Sequence, residues 1–189
     1  MATLLADKLY ILEEFEDFLR QHGERRYELI YGEIIEKMPP EQHGVISLKI
    51  GARLLAFVEQ HQIKAHVGVE VRYERPEDRY NSRIPNVSLR LTDEPLTDKG
   101  AVLQMPDLAV EVQSPDDDPH DLREKASYYL HKGSRLVWLI YPNRQQVEVC
   151  RLDANSQMEI VTLNSDEMLT GGDVLTGFHL LVADIFPRG

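Results

Sequence analysis

The sequence predicts a layered domain of mixed α and β structure, α/β or α+β, with helices packed outside a mixed sheet. Three observations carry this. Residues 106–142 run as a charged strand, a capped helix and an apolar strand in succession. Segments of β-rich composition separated by turns fill residues 65–113. Two stretches nearer the amino terminus repeat apolar residues at helical spacing.

Taken in order, Ile11, Leu12, Phe15, Phe18 and Leu19 define the first helix, and Gly23 supplies its stop. A hairpin follows, Tyr27 to Ile30 and Glu33 to Met38 around Tyr31-Gly32, with Pro39-Pro40 ending its second strand. A longer helix spans about residues 42–60, with Val45, Leu48, Ala52, Leu55 and Val58 on one side. Three strands then form a meander: AHVGVEVRYE, RIPNVSLRL after a turn at residues 78–82, and PDLAVEVQ after a polar loop of about residues 92–100. The helix beginning at Asp118 carries Pro119 in its first position and ends before Gly133, the favoured placement of both residue types. The strands RLVWLIYP and QQVEVCRL flank a turn at Asn143-Arg144, and residues 157–187 read as strand pieces and turns.

At 189 residues, 42% of them hydrophobic and 28% charged, the chain has the size and composition of one globular domain, residues 1–189, with a sizeable core. No run approaches the roughly 18 apolar residues a membrane helix needs. The early acidic residues of MATLLADKLYILEEF argue against a secretory signal, so a cytoplasmic protein without membrane association is expected. The lone Cys150 has no disulfide partner and no zinc-ligand spacing, and reads as a small buried side chain. A net charge of −11 disfavours nonspecific nucleic-acid binding, which rests on lysine and arginine. Arg72, Arg75, Arg79, Arg83 and Arg90 nevertheless make residues 71–90 locally positive, either a solvated hairpin or a nucleic-acid face.

The strand PDLAVEVQ holds the chemical puzzle. With a two-residue period, Leu108, Val110 and Val112 face one way and Asp107, Ala109, Glu111 and Gln113 the other. Glu111 is therefore an acidic residue among apolar neighbours, costly unless a cation or hydrogen bonds compensate it, and a metal ion would do so. On the following helix Lys125 shares the stripe of Leu122, Ala126, Tyr129 and Leu130. It either extends its stem over the core into water or points its amine into a cleft beside Glu111. The run Asp116-Asp117-Asp118 is explained by capping and the helix dipole, and Trp138 and Tyr141 by core packing.

These residues carry a resemblance. YELIYGEIIEKMPP with His43 after it, RIPNVSL, PDLAVEVQSP and EKASYYLHKGSRLVWLIYP, in that order and spacing, resemble the Uma family, a branch of the PD-(D/E)XK nuclease superfamily. The resemblance covers most of the chain. It implies a restriction-endonuclease-like core with flanking helices, preceded by the amino-terminal helix and hairpin. It also implies a DNA endonuclease using Mg2+ or Mn2+, in which acidic residues on neighbouring strands hold the ion and a lysine assists the attacking water. Carried over, the glutamate is Glu111, and the lysine two residues on is replaced by Gln113, with Lys125 of the next helix as its substitute.

The expected aspartate of the RIPNVSL strand is Asn86, which keeps an oxygen but loses the charge. Asp107 is a substitute metal ligand, although at the strand rise it lies about 13 Å from Glu111 and serves the strand entry more readily. The resemblance also brings Glu33, as a metal ligand, and His43 near the cleft. Two readings remain open: a metal-dependent DNA endonuclease, expected as a homodimer since a duplex has two strands, and a catalytically inactive module of the same fold that binds nucleic acid or protein.

Overall fold

The computed structural model describes residues 2–3, 8–23, 27–115 and 117–187. In chain order the elements are β1 (Ala2–Thr3), α1 (Leu12–His22), β2 (Tyr27–Ile30), β3 (Glu33–Glu36), α2 (Glu41–Gln60), β4 (Ala65–Val69), β5 (Tyr73–Glu74), β6 (Ser82–Arg83), β7 (Val87–Leu91), β8 (Leu108–Val112), α3 (Pro119–His131), β9 (Leu136–Tyr141), β10 (Gln146–Leu152), β11 (Met158–Leu163), β12 (Met168–Gly171) and β13 (Leu175–Leu181).

All five residues of β8 are buried, because it lies inside a six-stranded sheet of order β11-β10-β9-β8-β7-β4. Within this sheet β8 and β9 pair in parallel, and α3 connects them. On one face Leu108, Val110, Val112, Leu136, Trp138 and Ile140 pack against Ile46, Ile50 and Leu54 of α2 and against Phe178 and Leu180 of β13. On the other, Ala109, Val137, Leu139 and Tyr141 meet Leu122, Ala126 and Tyr129 of α3. The two-residue period of β8 therefore sends Glu111 to the α3 face. Trp138 and Tyr141 are core residues, and Cys150 is fully buried.

A second sheet, β1-β3-β2-β6-β5, holds the amino-terminal hairpin. Its turn places Tyr31 and Gly32 at φ +50° and +86°, the doubly left-handed turn that suits a two-residue hairpin. Phe15 and Leu19 of α1 pack against Leu29 and Ile34 of this hairpin, and Gly23 ends α1 with its N–H on the Leu19 carbonyl at 2.8 Å. At α3, Asp118 accepts the His120 N–H at 2.8 Å, the expected cap; Asp116 lies outside the described residues. No helix among the described residues is long and apolar enough to cross a membrane.

Two expectations need correction. The segments AHVGVEVRYE and RIPNVSLRL are not single strands: each is divided between the two sheets, as β4 and β5 and as β6 and β7. Glu70 turns the chain out of β4 with a left-handed φ of +53°, and Pro85, which cannot donate to a ladder, lies in the gap between β6 and β7. The inner face of α2 is also not the stripe read from the sequence. His43, Ile46, Ser47, Ile50, Gly51, Leu54 and Val58 are buried, while Val45, Leu48, Ala52 and Leu55 are exposed. Both stripes have helical spacing, so hydropathy alone does not choose between them. Gly51 marks the packed side, where an added Cβ would lie 3.6 Å from Val69 and 3.8 Å from Val87.

Candidate functional site

Where the carboxyl end of β8, the start of α2, the end of β3 and the middle of α3 converge, a cavity of about 370 Å3 opens. Its walls include Lys37, His43, Asn86, Glu111, Asp117 and Lys125. Glu111 is 2% exposed. Its Oε1 accepts the Tyr129 hydroxyl at 2.8 Å, and its Oε2 lies 3.9 Å from Lys125 Nζ. Lys125 and Tyr129 are four residues apart on α3, so one helix face delivers both groups to one carboxylate. Lys125 points into the cleft and not along the core surface; it is 8% exposed.

The second carboxylate of the cluster comes from β2. Glu28 is completely buried, its Oε1 accepting the Ile84 N–H at 2.6 Å. Its Oε2 accepts no hydrogen bond, yet lies 3.8 Å from Lys125 Nζ and 4.0 Å from Lys37 Nζ. Lys37, just beyond β3, is also 3.6 Å from Glu70 Oε2 and donates to the Ile84 carbonyl at 2.5 Å. Burial alone would raise both buried carboxyls. It does raise Glu111, with Glu28 adding to the effect, against the pull of Lys125 and Lys37. Glu28 is instead held below the ordinary carboxylate range, because Lys37, Lys125, Arg83 and the Ile84 N–H outweigh its burial. Lys37, despite burial, is held above the ordinary lysine range by Glu28, Glu111 and Glu70.

Asn86 is oriented by the backbone. Its Oδ1 accepts the Val112 N–H at 2.8 Å, so its Nδ2 must be the atom that donates to Glu70 Oε1 at 2.9 Å. The oxygen expected as a metal ligand is thus engaged within the sheet, and the other terminus of the side chain is a donor. Gln113 does not line the cavity; its Nε2 donates to the Asp117 carbonyl at 2.9 Å. His43 does line it, and Nε2 donates to the Gln113 carbonyl at 2.8 Å. Burial holds the His43 ring below the ordinary histidine range, against that hydrogen bond.

The two remaining candidates lie elsewhere. Asp107 is outside the cavity walls: its Oδ2 accepts the Leu91 N–H at 2.7 Å and its Oδ1 lies 3.8 Å from Arg135, tying the start of β8 to β7 and to the approach to β9. Glu33 is exposed at the first position of β3 and is likewise absent from the walls. The hairpin does reach the cleft, but through Lys37 at its other end, backed by the buried Glu28. Neither was singled out from the sequence, where YELI and IIEKM look like ordinary half-buried strands. A polar residue in a strand whose neighbours are all apolar was the available signal for Glu28, as it was for Glu111.

The arginines of residues 71–90 do not form a free basic face. Arg83 is buried, its guanidinium 4.3 Å from the Tyr128 ring centre and 5.2 Å from that of Tyr31. Arg90 is buried, Arg79 pairs with Glu13 at 3.0 Å, and Arg75 pairs with Glu77.

Magnesium commonly binds through one or two carboxylates plus substrate phosphate and retained waters. Glu111, in the cavity wall, is a donor of that kind and fits one hard divalent ion whose shell phosphate and water complete, whereas Glu28 is fully buried and lies outside the cavity walls. Lys37, Lys125 and Arg83 already balance Glu28, Glu70 and Glu111, which leaves the phosphate to supply much of the attraction for added positive charge. Among the described residues, the group of three His, Cys, Asp or Glu side chains close enough to share an ion is His120, Asp121 and Glu124, exposed on α3 and outside the cavity.

The mixed sheet with helices on both faces and a buried Glu–Lys pair at one strand end define a nuclease-like α+β protein. Comparison with known proteins agrees. The family model Uma2, described as "Putative restriction endonuclease", matches residues 12–183, and the chain belongs to that family. A solved structure from Anabaena variabilis, titled a "putative nuclease belonging to DUF820", is 25% identical, covers 93% of this chain and 97% of its own, and superposes with a TM-score of 0.77. No curated protein matches the chain.

Proposed function

We propose that the protein is a divalent-cation-dependent nuclease that hydrolyses phosphodiester bonds of DNA in the cavity at the end of β8. The observation that carries this reading is the pairing of buried Glu111, on the central strand, with Lys125 of the next helix in a chain of the Uma2 family. Glu111 would hold the ion, Mg2+ or Mn2+, together with phosphate oxygens and waters. When bound, that ion supplies an activated water and neutralises charge on the phosphate. Glu111 must be ionised to do so, and its burial, which holds the carboxyl above the ordinary range, opposes that until the ion is bound. Lys125, anchored between the two carboxylates, directs ammonium hydrogens into the cavity to orient the attacking water. His43 and Gln113 brace the loop after β8, and Asp107 its beginning; these are positioning residues. We further propose that two copies act together on a duplex, the exposed apolar stripe Val45, Leu48 and Leu55 of α2 offering the contact; Leu48→Asp would then give a monomer in sedimentation.

Purified protein incubated with supercoiled plasmid and Mn2+ at low salt tests the reading. Nicking is expected from the wild type and is expected to vanish in Glu111→Ala. A second reading is favoured by one feature, the Asn86 amide, which presents a donor to Glu70 where a carboxylate ligand was expected: a nuclease fold without catalysis, retained to bind nucleic acid or protein. Cleavage that appears only in Asn86→Asp would support it, and absence of cleavage in every form would rule out the endonuclease.

A further inference from the structure

The Glu111–Lys125 pair leaves Lys37 unexplained. This lysine comes from the far side of the cleft, 88 positions before Lys125 in the chain, and both side chains line the same cavity. Both also flank one atom, Glu28 Oε2, within 4.0 Å.

The distances show what these contacts leave over. A charge-assisted N–H···O bond runs at about 2.7–2.9 Å. The lysine–carboxylate separations here are 3.6 Å to Glu70, 3.8 and 4.0 Å to Glu28 and 3.9 Å to Glu111. Coulomb attraction at that range keeps the ammonium groups charged and in place, but it does not use their hydrogens. Lys37 spends one hydrogen on the Ile84 carbonyl, and Lys125, more than nine-tenths buried, makes no hydrogen bond to any described residue. Two adjacent ammonium groups therefore keep donors for a ligand in the cavity between them. The Lys125 ammonium has no hydrogen-bond partner among the described residues yet is not sealed from solvent, so it opens to the cavity, where an anion with several oxygens can replace water on both lysines.

We propose that Lys37 is a substrate-binding residue: with Lys125 it forms a two-lysine clamp on the non-bridging oxygens of one phosphate of a nucleic-acid backbone, with Glu28 as the carboxylate that holds both. The proposal rests on the nuclease reading for its choice of ligand, not for its geometry. It assigns the hairpin a direct part in the site, through the residue just beyond its second strand and not through the Tyr31-Gly32 turn or Glu33. A clamp of this kind grips phosphate without reading bases, so its contribution is independent of sequence.

Binding in the absence of metal separates the clamp from the chemistry. A fluorescein-labelled duplex is titrated with protein in EDTA at several salt concentrations, read by anisotropy. One lost phosphate contact reduces the slope of log affinity against log salt by about 1. Lys37→Met is expected to show that reduction together with a roughly tenfold weaker affinity at low salt. Lys37→Arg is expected to retain the slope. Lys64→Met, which removes an exposed lysine paired with Asp93, is expected to change neither.

Since Lys37→Met leaves Glu28 with one fewer cation, Glu28→Gln/Lys37→Met removes the buried charge together with its partner, and it is expected to fold and to lose the same slope. A folded Lys37 variant with the wild-type slope overturns the clamp and makes Lys37 a neutraliser of Glu28 and Glu70. A wild type that binds no duplex overturns it as well. If wild type fails to nick plasmid with Mn2+ yet the slope loss stands, the nuclease reading falls and the clamp survives.

Discussion

Asn86 accepts the backbone N–H of Val112 at 2.8 Å across the β7–β8 pair, and this bond fixes which way its amide faces. A backbone donor cannot be satisfied by an NH2 group. The amino terminus of the amide is therefore committed to Glu70, 2.9 Å away.

Replacing Asn86 by Asp would put a carboxylate oxygen where that donor now meets Glu70. Two like charges at hydrogen-bond distance repel, and a divalent ion relieves them. Without metal, Asn86→Asp is expected to lose about 1 kcal/mol, or roughly 2–4 °C in Tm for a chain of this size. Added Mn2+ is expected to restore the Tm and to bind about tenfold more tightly than to the wild type, about 1.4 kcal/mol. Thermal melts with and without Mn2+, and titration calorimetry, check both numbers. An equal Mn2+ response in the two proteins would place the ion away from Asn86.

Glu111→Ala removes the acceptor of the Tyr129 hydroxyl and one of the two carboxylates beside Lys125. Deleting one partner of a buried ion pair costs about 3–5 kcal/mol. Glu111→Gln keeps an oxygen for Tyr129 and the side-chain volume, so it is expected to cost clearly less while losing nicking just as completely. Denaturant unfolding with plasmid cleavage separates the stability effect from the chemical one.

His43 gives the protein a pH-dependent contribution of known sign. Its folded pKa lies below the ordinary histidine value because burial disfavours the charged ring. Between the folded pKa and the unfolded value of about 6.5 the unfolded chain binds the extra proton, so acid favours unfolding. Stability from this residue is complete above about pH 7 and declines as pH falls toward the folded pKa. In His43→Gln the dependence of unfolding free energy on pH between 5 and 7 is expected to be flatter than in wild type.

The two apolar stripes of α2 make a direct comparison. Leu54 is fully buried and Leu48 is 67% exposed. Leu54→Ala is expected to cost about 2–5 kcal/mol, and Leu48→Ala to stay within about 0.5 kcal/mol. Equal losses in urea unfolding would contradict the register of the helix.

Element type and order were legible in the sequence wherever the signal is local. The Asp118-Pro119 start of α3 and its end before Gly133, the Tyr31-Gly32 hairpin and the buried Glu111 follow from capping, turn stereochemistry and the two-residue strand period. Each of these acts over a few residues, and so does the set of ordered motifs that carries the family. Tertiary structure alone decided which stripe of α2 is core, because a helix with apolar residues on two sides is chosen for one of them only by what it meets. It alone split the strands at Glu70 and Pro85 between two sheets. It alone brought Glu28 and Lys37 to Glu111 and Lys125, through contacts such as Glu28 with Ile84, which are 56 residues apart. The same holds for Asn86, whose residue type is plain in the sequence but whose amide was oriented by a backbone donor 26 residues further on. Periodicity reports which side of an element is apolar; only the sheet order determines which charged groups must share one buried space, and there their mutual distances set the chemistry.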